Sequence, residues 1–208
     1  MVQVLDHPLV HCALAELRAK DTPVVRFRAR ARELAKFLVL EATRDLATEE
    51  IEVETPLGKT AGRALLHKKI VIAPILRAGL AMVEPAIELL PEAEVRHIGL
   101  YRNEETLRPV TYYVKLPETY DATTTVLVID PMLATGGSAV ETINLFKARG
   151  AGNIKYLCLI ASPEGIAALR KAHPDVAIYT VSIDSHLNEH GYIVPGLGDA
   201  GDRTFGTL

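Results

Sequence analysis

The sequence predicts an α/β fold in which helices flank both faces of a mainly parallel central sheet. Strand-like apolar runs alternate with helical patterns along most of the 208 residues, and this order is typical of parallel sheets. The run V-L-V-I at 126–129 has no polar alternation, which indicates a strand buried on both faces. Because no internal repeat, low-complexity tract or linker interrupts the pattern, we expect a single domain over 1–208.

The first 90 residues predict three helices and two strands. Proline is favoured at a first helical position because its missing N–H would have no partner there in any case. Pro8 and Pro23 are expected to hold such positions. The elements expected in this part are helices from Pro8 and over about 23–46, strands at 51–55 and 69–73, and an apolar helix ending near Leu90.

The rest of the chain predicts a hairpin arm, a strand–helix series and an irregular end. Two extended runs joined by a polar connector predict a β-hairpin arm over about 95–117. The glycine-rich stretch over about 184–208 predicts a small irregular C-terminal hood. The regular elements expected here are strands at 95–102, 110–117, 126–129, 154–161 and 176–183, and helices after Ser138 and at 163–172.

Composition and charge give no support for a general nucleic-acid or membrane surface. The net charge is -3 and 24% of the residues are charged. Four alternating arginines from Arg26 to Arg32 leave two interpretations, which are RNA binding and a solvated or subunit-facing helix side. A charge run of this kind is more often a solvated face. We therefore favour the second interpretation and expect no nucleic-acid partner.

Cysteines and hydropathy predict a cytoplasmic protein without a membrane partner. Cys12 and Cys158 both lie in apolar periodic segments, so we expect two reduced, buried thiols. The first residues have neither a basic nor an apolar signal-peptide region. No apolar run approaches the roughly 20 residues that a membrane-spanning helix needs.

The segment V-L-V-I-D-P-M-L-A-T-G-G-S at 126–138 predicts an anion site. A buried strand ends at Asp130, small and hydroxylated residues follow over Ala134–Ser138, and a helical pattern comes next. Glycines let a phosphate approach the backbone, and the free amides and dipole of a helix start favour its charge. An ordinary strand-to-helix turn explains T-G-G-S equally well, but the whole segment favours phosphate binding.

Asp130 indicates what accompanies the phosphate. A carboxylate repels phosphate but accepts hydrogen bonds from ribose hydroxyls, so the pair suits a ribose 5-phosphate. A P-loop does not fit because no lysine follows Gly137, and the G-x-G-x-x-G fingerprint of dinucleotide sites is absent.

Several candidate residues are expected at one edge of the sheet. Parallel sheets bind ligands beyond the carboxyl ends of their strands, and Arg77, Arg102, Asp130 and the stretch after Asp184 each follow a predicted strand. Arg77 lies in the otherwise apolar stretch I-L-R-A-G-L-A, where a guanidinium needs an anion. For Arg102, at the root of the arm, the residues alone leave a surface ion pair as an equal alternative.

Four stretches together resemble the uracil phosphoribosyltransferase family, a branch of the type I phosphoribosyltransferases. The 126–138 segment is common to the wider superfamily, whereas the carboxyl-terminal motif is specific. Where many type I members have two adjacent acidic residues, Pro131 follows Asp130, as is usual in the uracil branch. The other stretches are A-P-I-L-R-A-G-L-A-M (73–82), R-N-E-E-T-L-R-P-V-T-Y-Y (102–113) and G-Y-I-V-P-G-L-G-D-A-G-D-R-T-F-G-T (191–207).

The resemblance implies a pyrimidine salvage reaction. The 5-phosphoribosyl group of 5-phospho-α-D-ribose 1-diphosphate (PRPP) would pass to N1 of uracil, giving UMP and diphosphate. Mg²⁺ would be the cofactor, held mainly by substrate oxygens and water rather than by a cluster of side chains. Catalytic roles would fall to Arg77, Arg102, Asp130 and Asp199. The implied PRPP-binding residues are Arg77, Arg102, Asp130, Pro131, Met132, Leu133, Ala134, Thr135, Gly136, Gly137, Ser138 and Asp199.

The same resemblance implies that Tyr192, Ile193, Gly198, Asp199 and Ala200 bind uracil, largely through the main chain. Uracil presents an acceptor, a donor and an acceptor, and cytosine changes two of these. A site built from backbone groups would reject cytosine because buried groups would stay unpaired. Asp199 would orient or deprotonate N1, and the arm at 103–109 would close over the substrates and exclude water.

Assembly and regulation follow from the resemblance alone. It implies a homodimer or homotetramer and makes GTP a candidate allosteric effector. A nucleotide-sensing regulator of this fold, with the arginine helix binding RNA, is the alternative function, and it predicts salt-dependent RNA binding. A transferase for another base is opposed only by the resemblance.

Overall fold

The computed structural model describes residues 1–66, 69–102 and 109–207, and for Arg102 and Pro109 it describes the backbone alone. The helices are α1 (Pro8–Arg18), α2 (Val24–Ala42), a 3₁₀ helix (Ala78–Met82), α3 (Val83–Leu89), α4 (Gly137–Lys147), α5 (Pro163–Ala172) and α6 (Ala200–Phe205). The strands are β1 (Val2–Val4), β2 (Thr48–Thr55), β3 (Gly58–Leu65), β4 (Ile70–Leu76), β5 (Glu94–Val95), β6 (Ile98–Arg102), β7 (Pro109–Val114), β8 (Thr125–Ile129), β9 (Met132–Leu133), β10 (Asn153–Ala161), β11 (Ala177–Ile183), β12 (His186–Leu187) and β13 (Ile193–Val194).

The central sheet confirms the predicted fold class. Its strand order is β1-β11-β10-β8-β4-β6-β7, with β5 beside β4 and β9 beside β10. Every pairing in it is parallel except that of β6 with β7, which form an antiparallel pair within the predicted arm. The carboxyl ends of β4, β6 and β8 therefore lie at one edge of the sheet.

Helices cover both faces of the sheet, and β8 lies between them. Successive strand residues point to opposite faces, so Leu127 packs in the core cluster that contains α1 and α2, and Val126 packs in the cluster that contains α4. All five residues of β8 are buried. Burial on both faces is the physical reason that its sequence lacks polar alternation.

Several boundaries match the sequence prediction and others do not: the predicted strand at 95–102 is divided into β5 and β6, and Pro23 is the N-cap of α2 rather than its first residue. Helix α5 has its predicted bounds, and the side chain of Ser162 caps it by accepting a hydrogen bond from the amide of Gly165. Helix α2 begins after Pro23 and ends at Ala42, four residues before the predicted end. Cys158 is a buried free thiol, but Cys12 is exposed, so the prediction of a buried Cys12 is wrong.

Several elements were not predicted: β1, β3, α6 and the two-residue strands β9, β12 and β13. Strand β1 extends the sheet beside β11, α6 lies within the hood, and β3 pairs with β2 along its whole length in a separate two-stranded sheet. Strand β3 has the sequence G-K-T-A-G-R-A-L, and most of its residues are exposed. A strand that buries neither face lacks the apolar alternation by which a strand is recognised.

Candidate active site

A small cavity lies where β8 ends. Its volume is about 80 Å³, and its lining consists of Asp130, Tyr156 and residues 132–139. Among the predicted PRPP residues of this segment, Pro131 is not in the lining. Pro131 is buried, and its carbonyl oxygen accepts hydrogen bonds from the amides of Leu159 and Ile160 at 2.9 and 3.1 Å. The structure thus brings the carboxylate and the loop residues Ala134–Ser138 together, as the sequence indicates.

The loop Ala134–Ser138, called the phosphate loop below, leads into an uncapped helix start. Gly136 occupies the N-cap position of α4 at φ +82°, and no side chain accepts a hydrogen bond there. A Cβ on Gly136 would lie 3.0 Å from the carbonyl oxygen of Gly165, so both the conformation and the space favour glycine. With no side-chain cap, the first amides of α4 keep the capacity to bind an anion.

The start of helix α5 packs against the phosphate loop. The hydroxyl of Ser162 donates to the carbonyl oxygen of Ala134 at 2.6 Å, and its amide donates to that of Leu133 at 2.9 Å. A Cβ on Gly165 would lie 2.3 Å from the same Ala134 oxygen. The carbonyls of Ala134 and of Leu133 before it are therefore packed against the start of α5.

The environment of Asp130 favours its protonated form in the unliganded protein. Burial raises the pKa of its carboxyl from 3.8 to about 8, and a hydrogen bond from the amide of Met132 opposes this shift only in part. The carboxyl is half-buried and lines the cavity. Hydroxyl donors or a cation arriving there would favour the carboxylate.

Arg77 lies at the same edge of the sheet as Asp130. Its Nη2 donates to Asp202 Oδ1 at 3.2 Å, and its side chain is 58% exposed. The peptide bond Leu76–Arg77 is cis. A Cβ on Gly79 would lie 2.7 Å from the carbonyl oxygen of Ile129, so the loop after β4 packs directly on the end of β8.

The hood meets the loop after β4 at Gly201. Asp199 caps α6 by accepting a hydrogen bond from the amide of Asp202 at 2.8 Å. A Cβ on Gly201 would lie 3.2 Å from Asp199 Oδ1 and 3.8 Å from Arg77 Nη2. Two predicted catalytic residues from distant parts of the chain therefore flank one glycine, and Ala200 beside them is buried.

The hood also presents main-chain groups that no strand uses. The carbonyl oxygens of Tyr192 and Val194 accept hydrogen bonds at 2.9 Å from the amides of Asn188 and Ser185, the residues that flank β12. Since backbone groups alternate in direction along an antiparallel strand, the amide and carbonyl of Ile193 point away from β12. The ring of Tyr192 is half-exposed, and Gly198 has φ +78°.

Arg102 and the arm are described only in part. The backbone of Arg102 ends β6, which lies beside β4, so this residue follows a strand at the same edge of the sheet. The side chain of Arg102 and residues 103–108 lie outside the described residues. The roles predicted for Arg102 and for closure of the arm at 103–109 stay predictions.

Sequence reasoning missed three residues around this site. Tyr156 stands in the apolar run of β10 and resembles a core residue there; only the strand order puts β10 beside β8. Asp202 contacts Arg77 from a helix that was not predicted. Ser162 directly precedes Pro163 at the start of α5, which is a recognisable cap signal, but its bond to the phosphate loop has no local signal.

The arginines of α2 are engaged within the chain. Three of the four pair with carboxylates and the fourth donates to a carbonyl oxygen. Arginines whose donors are engaged in this way offer less to phosphates of RNA, so the regulator alternative gains no support. The partners are Glu16 for Arg26, Glu16 and Glu33 for Arg30, Glu84 and Glu88 for Arg32, and the carbonyl of Thr204 for Arg28.

The described residues around the cavity include no cluster of carboxylates that could hold a metal ion. Within residues 1–66, 69–102 and 109–207 no group of three or more His, Cys, Asp or Glu side chains could hold a metal ion. An ion that keeps mostly water and substrate oxygens as ligands, as Mg²⁺ does, needs no such group and fits beside Asp130. None of the described helices is long and apolar enough to cross a membrane.

Comparison with known proteins gives a consistent result. A family model described as uracil phosphoribosyltransferase matches residues 4–207. A relative of that name from Dictyoglomus turgidum is 56% identical over 207 residues, which cover 100% of both chains. A solved protein from Aquifex aeolicus superposes with a TM-score of 0.91 at 39% identity, over 99% of this chain and 98% of that one. An adenine phosphoribosyltransferase from Rhodothermus marinus shares the fold, with a TM-score of 0.51 at 18% identity over 73% of this chain and 78% of its own.

Proposed function

This chain belongs to the uracil phosphoribosyltransferase family, and we propose that its reaction, transfer of the 5-phosphoribosyl group of PRPP to N1 of uracil, takes place where the phosphate loop, Arg77 and the hood converge. One observation carries this assignment. An uncapped helix start, a lone carboxylate and a half-exposed arginine lie together at the carboxyl ends of adjacent parallel strands. We assign the whole of 1–208 to one domain, with the arm at about 95–117 and the hood at about 184–208.

The phosphate loop and Asp130 would bind the ribose 5-phosphate. Backbone amides at the start of α4, with the hydroxyls of Thr135 and Ser138, suit the 5-phosphate because they supply donors without competing acceptor carbonyls. The carbonyls of Leu133 and Ala134 accept hydrogen bonds from Ser162, the cap of α5. Asp130 would accept hydrogen bonds from the 2- and 3-hydroxyls, and this interaction favours its ionised form.

Arg77 would stabilise the departing diphosphate. Breaking the C1–oxygen bond leaves positive charge on the ribose and negative charge on diphosphate, so groups that stabilise separated charge accelerate the step. Arg77 is half-exposed and its bond to Asp202 is a long one, so its fork can turn to phosphate oxygens. Arg102 is assigned the same role from the resemblance. Mg²⁺ bound beside Asp130, mainly by substrate oxygens and water, would supply further neutralisation of the diphosphate.

The hood would read the base. The amide and carbonyl of Ile193, with main-chain groups of Gly198 and Ala200, would meet the hydrogen-bonding edge of uracil. Main-chain groups cannot exchange donor for acceptor, so cytosine would leave buried groups unpaired. Asp199, next to Arg77, would orient or deprotonate N1, and the ring of Tyr192 would cover the base.

Location, assembly and regulation extend the proposal. Membership of this family supports a cytoplasmic enzyme, and a homodimer or homotetramer is expected from the resemblance. Activation by GTP rests on the resemblance alone.

Diphosphate release from PRPP and Mg²⁺ tests the proposed function. Uracil, cytosine, adenine and hypoxanthine are offered in turn, and release is expected with uracil alone. Release with another base would contradict the assigned substrate. No release with any base, together with salt-dependent RNA binding, would favour the regulator instead.

A further inference from the structure

An ion pair joins helix α1 to the residue that follows β11. The ion pair is bidentate: Arg18 donates from Nη1 to Asp184 Oδ2 at 2.7 Å and from Nη2 to Oδ1. The side chain of Asp184 is 2% exposed and that of Arg18 is 22% exposed. The hydroxyl of Ser182 donates to the same carboxylate at 2.9 Å. None of these three residues belongs to the groups assigned to catalysis or substrate binding.

This pair holds both backbone polar groups of Gly196. The amide of Gly196 donates to Asp184 Oδ2 at 2.9 Å, and its carbonyl oxygen accepts from Arg18 Nη1 at 2.7 Å. Gly196 has φ +63°, and a Cβ there would lie 2.1 Å from the carbonyl oxygen of Ile193. The ion pair therefore fixes a residue that packs directly on Ile193.

Arg203 attaches the next residue of the hood to the same helix. Its Nη1 donates to the carbonyl oxygens of Leu197 and Leu17 at 2.7 and 2.9 Å, and its Nη2 donates to that of Ala19 at 2.6 Å. The carboxyl end of α1 thus holds two consecutive residues of the hood, although α1 and the hood lie at opposite ends of the sequence.

We propose that Arg18 and Asp184 are positioning residues for base selection, which hold the main-chain groups of the turn at 193–198 at the spacing that uracil requires. The inference rests on the proposed function, in which the hood reads the base. A main-chain site discriminates only while it is rigid, because a turn that can rearrange finds new partners for the wrong base. Loss of the pair affects uracil rather than PRPP, because PRPP binds mainly to the phosphate loop.

A purely structural ion pair makes a different prediction. Its loss would lower the thermal unfolding midpoint while leaving the KM for each substrate and the preference for uracil unchanged. The KM values and the uracil-to-cytosine ratio of kcat/KM therefore separate the two roles.

Steady-state kinetics of Arg18→Lys tests the proposal. Lysine keeps the charge but lacks the fork that reaches both Asp184 and Gly196. We expect the KM for uracil to rise about tenfold, the KM for PRPP to change less than about twofold, and the uracil-to-cytosine ratio to fall about tenfold, as the loss of a buried hydrogen-bond partner predicts. Ser182→Ala, which removes one hydrogen bond to Asp184, should produce a smaller change in the same direction.

Arg30→Lys is the matched control. Arg30 is likewise an ion-paired arginine: it binds Glu16 and Glu33, neither of which belongs to the hood, and its side chain is 29% exposed. This variant should leave both KM values and the base preference unchanged. The proposal is overturned when Arg18→Lys and Ser182→Ala keep the wild-type KM for uracil and the wild-type preference, whatever their thermal stability.

Failure of the proposed function is distinguishable from failure of this inference. A wild-type enzyme that uses another base contradicts the substrate assignment, and the KM of Arg18→Lys for that base still decides the positioning role. Arg18→Lys and Ser182→Ala both preserve charge at the buried pair, so both are expected to fold and they decide the outcome.

Discussion

Asp130 combines a functional requirement with a cost to the unliganded protein. Its carboxyl is half-buried, and burial raises its pKa from 3.8 to about 8. Between these two pH values the folded protein binds one more proton at this site than the unfolded chain does. Stability contributed by the site is therefore full below about pH 4 and decreases as the pH rises towards 8.

Asp130→Asn is expected to stabilise the unliganded enzyme at high pH and to impair catalysis. Asparagine keeps the shape but carries no ionisable group, so the stability advantage of the variant over wild type should grow between pH 5 and pH 9. Loss of the charged acceptor for ribose hydroxyls should lower kcat/KM for PRPP by about 10- to 100-fold. Thermal unfolding across this pH range and steady-state kinetics check both parts; an advantage independent of pH would contradict the raised pKa.

Asp199 has a structural role beside its proposed chemical one. It caps α6 through the amide of Asp202, so Asp199→Ala removes a cap worth about 0.5–2 kcal/mol as well as a carboxylate. Asparagine caps as well as aspartate does. We expect Asp199→Asn to unfold at the wild-type temperature but to lose most turnover. Asp199→Ala should lose most turnover and also unfold at a lower temperature. Near wild-type turnover in Asp199→Asn would refute a role for the charge.

Residue-scale prediction from sequence succeeds where the chemistry is contiguous. Asp130 and the phosphate loop lie in one segment whose residue types suit one ligand, and the structure places them around one cavity. Arg18 and Asp184 meet across 166 residues of chain, and no local pattern pairs a helix-terminal arginine with one particular aspartate. Tyr156 was hidden for the same reason, because only the strand order brings it to the site.

At the scale of elements, α5 and the phosphate loop act as one unit. Gly165 lies in the first turn of α5 against the carbonyls of Ala134 and Leu133, and a Cβ there would lie 2.3 and 2.7 Å from their oxygens. These distances are too short for any real Cβ contact, so either the loop or the helix must move. Since the loop carries the proposed 5-phosphate site, its displacement affects PRPP first.

Gly165→Ala should therefore raise the KM for PRPP about tenfold and destabilise the fold by about 1–3 kcal/mol, as overpacking does. The KM for uracil should change less, because α5 meets the hood through Glu164 and the amide of Leu187 rather than through the phosphate loop. Gly152→Ala is the matched control: its Cβ would lie 2.9 Å from the carbonyl oxygen of Ala122, so it should lower stability without changing the KM for PRPP. Kinetics and thermal unfolding of both variants check this. Equal KM values for PRPP in Gly165→Ala and Gly152→Ala would contradict the coupling of α5 to the loop.

Elements were predictable where periodicity and end signals agree. Helix α5 has an amphipathic pattern, a serine cap and a proline at its first position, and its bounds were predicted correctly. Strand β1 is three residues long, too short for any periodic signal. Helix α6 occupies six residues of a glycine- and aspartate-rich motif, whose composition is that of a turn.

At the scale of the whole molecule, the β2–β3 hairpin is the feature that the rest of the fold does not explain. It forms its own sheet, and an isolated two-stranded hairpin is at best marginally stable in water. One face is charged. On the other, Ile51 and Val53 lie opposite Gly62 and Thr60, and Leu57 at the tip is fully exposed. We therefore expect a second copy of the chain to cover the apolar face in a homodimer.

Ile51→Lys should separate this homodimer into monomers. Ile51 lies opposite Gly62 on the face that carries Val53, and a lysine there would bring a charge into the interface in place of an apolar side chain. Ala61→Lys is the control, because this substitution also adds one positive charge at an exposed position. Ala61 lies on the charged face, opposite Glu52. Sedimentation velocity over a range of protein concentrations should give a dimer for wild type and Ala61→Lys, and a dissociation constant raised at least about tenfold, or about 1.4 kcal/mol, for Ile51→Lys. A wild-type chain that stays monomeric at the highest concentration would contradict assembly through this face. Equal dissociation constants for the two variants would contradict it as well, because the variants differ in the face of the hairpin on which the lysine lies.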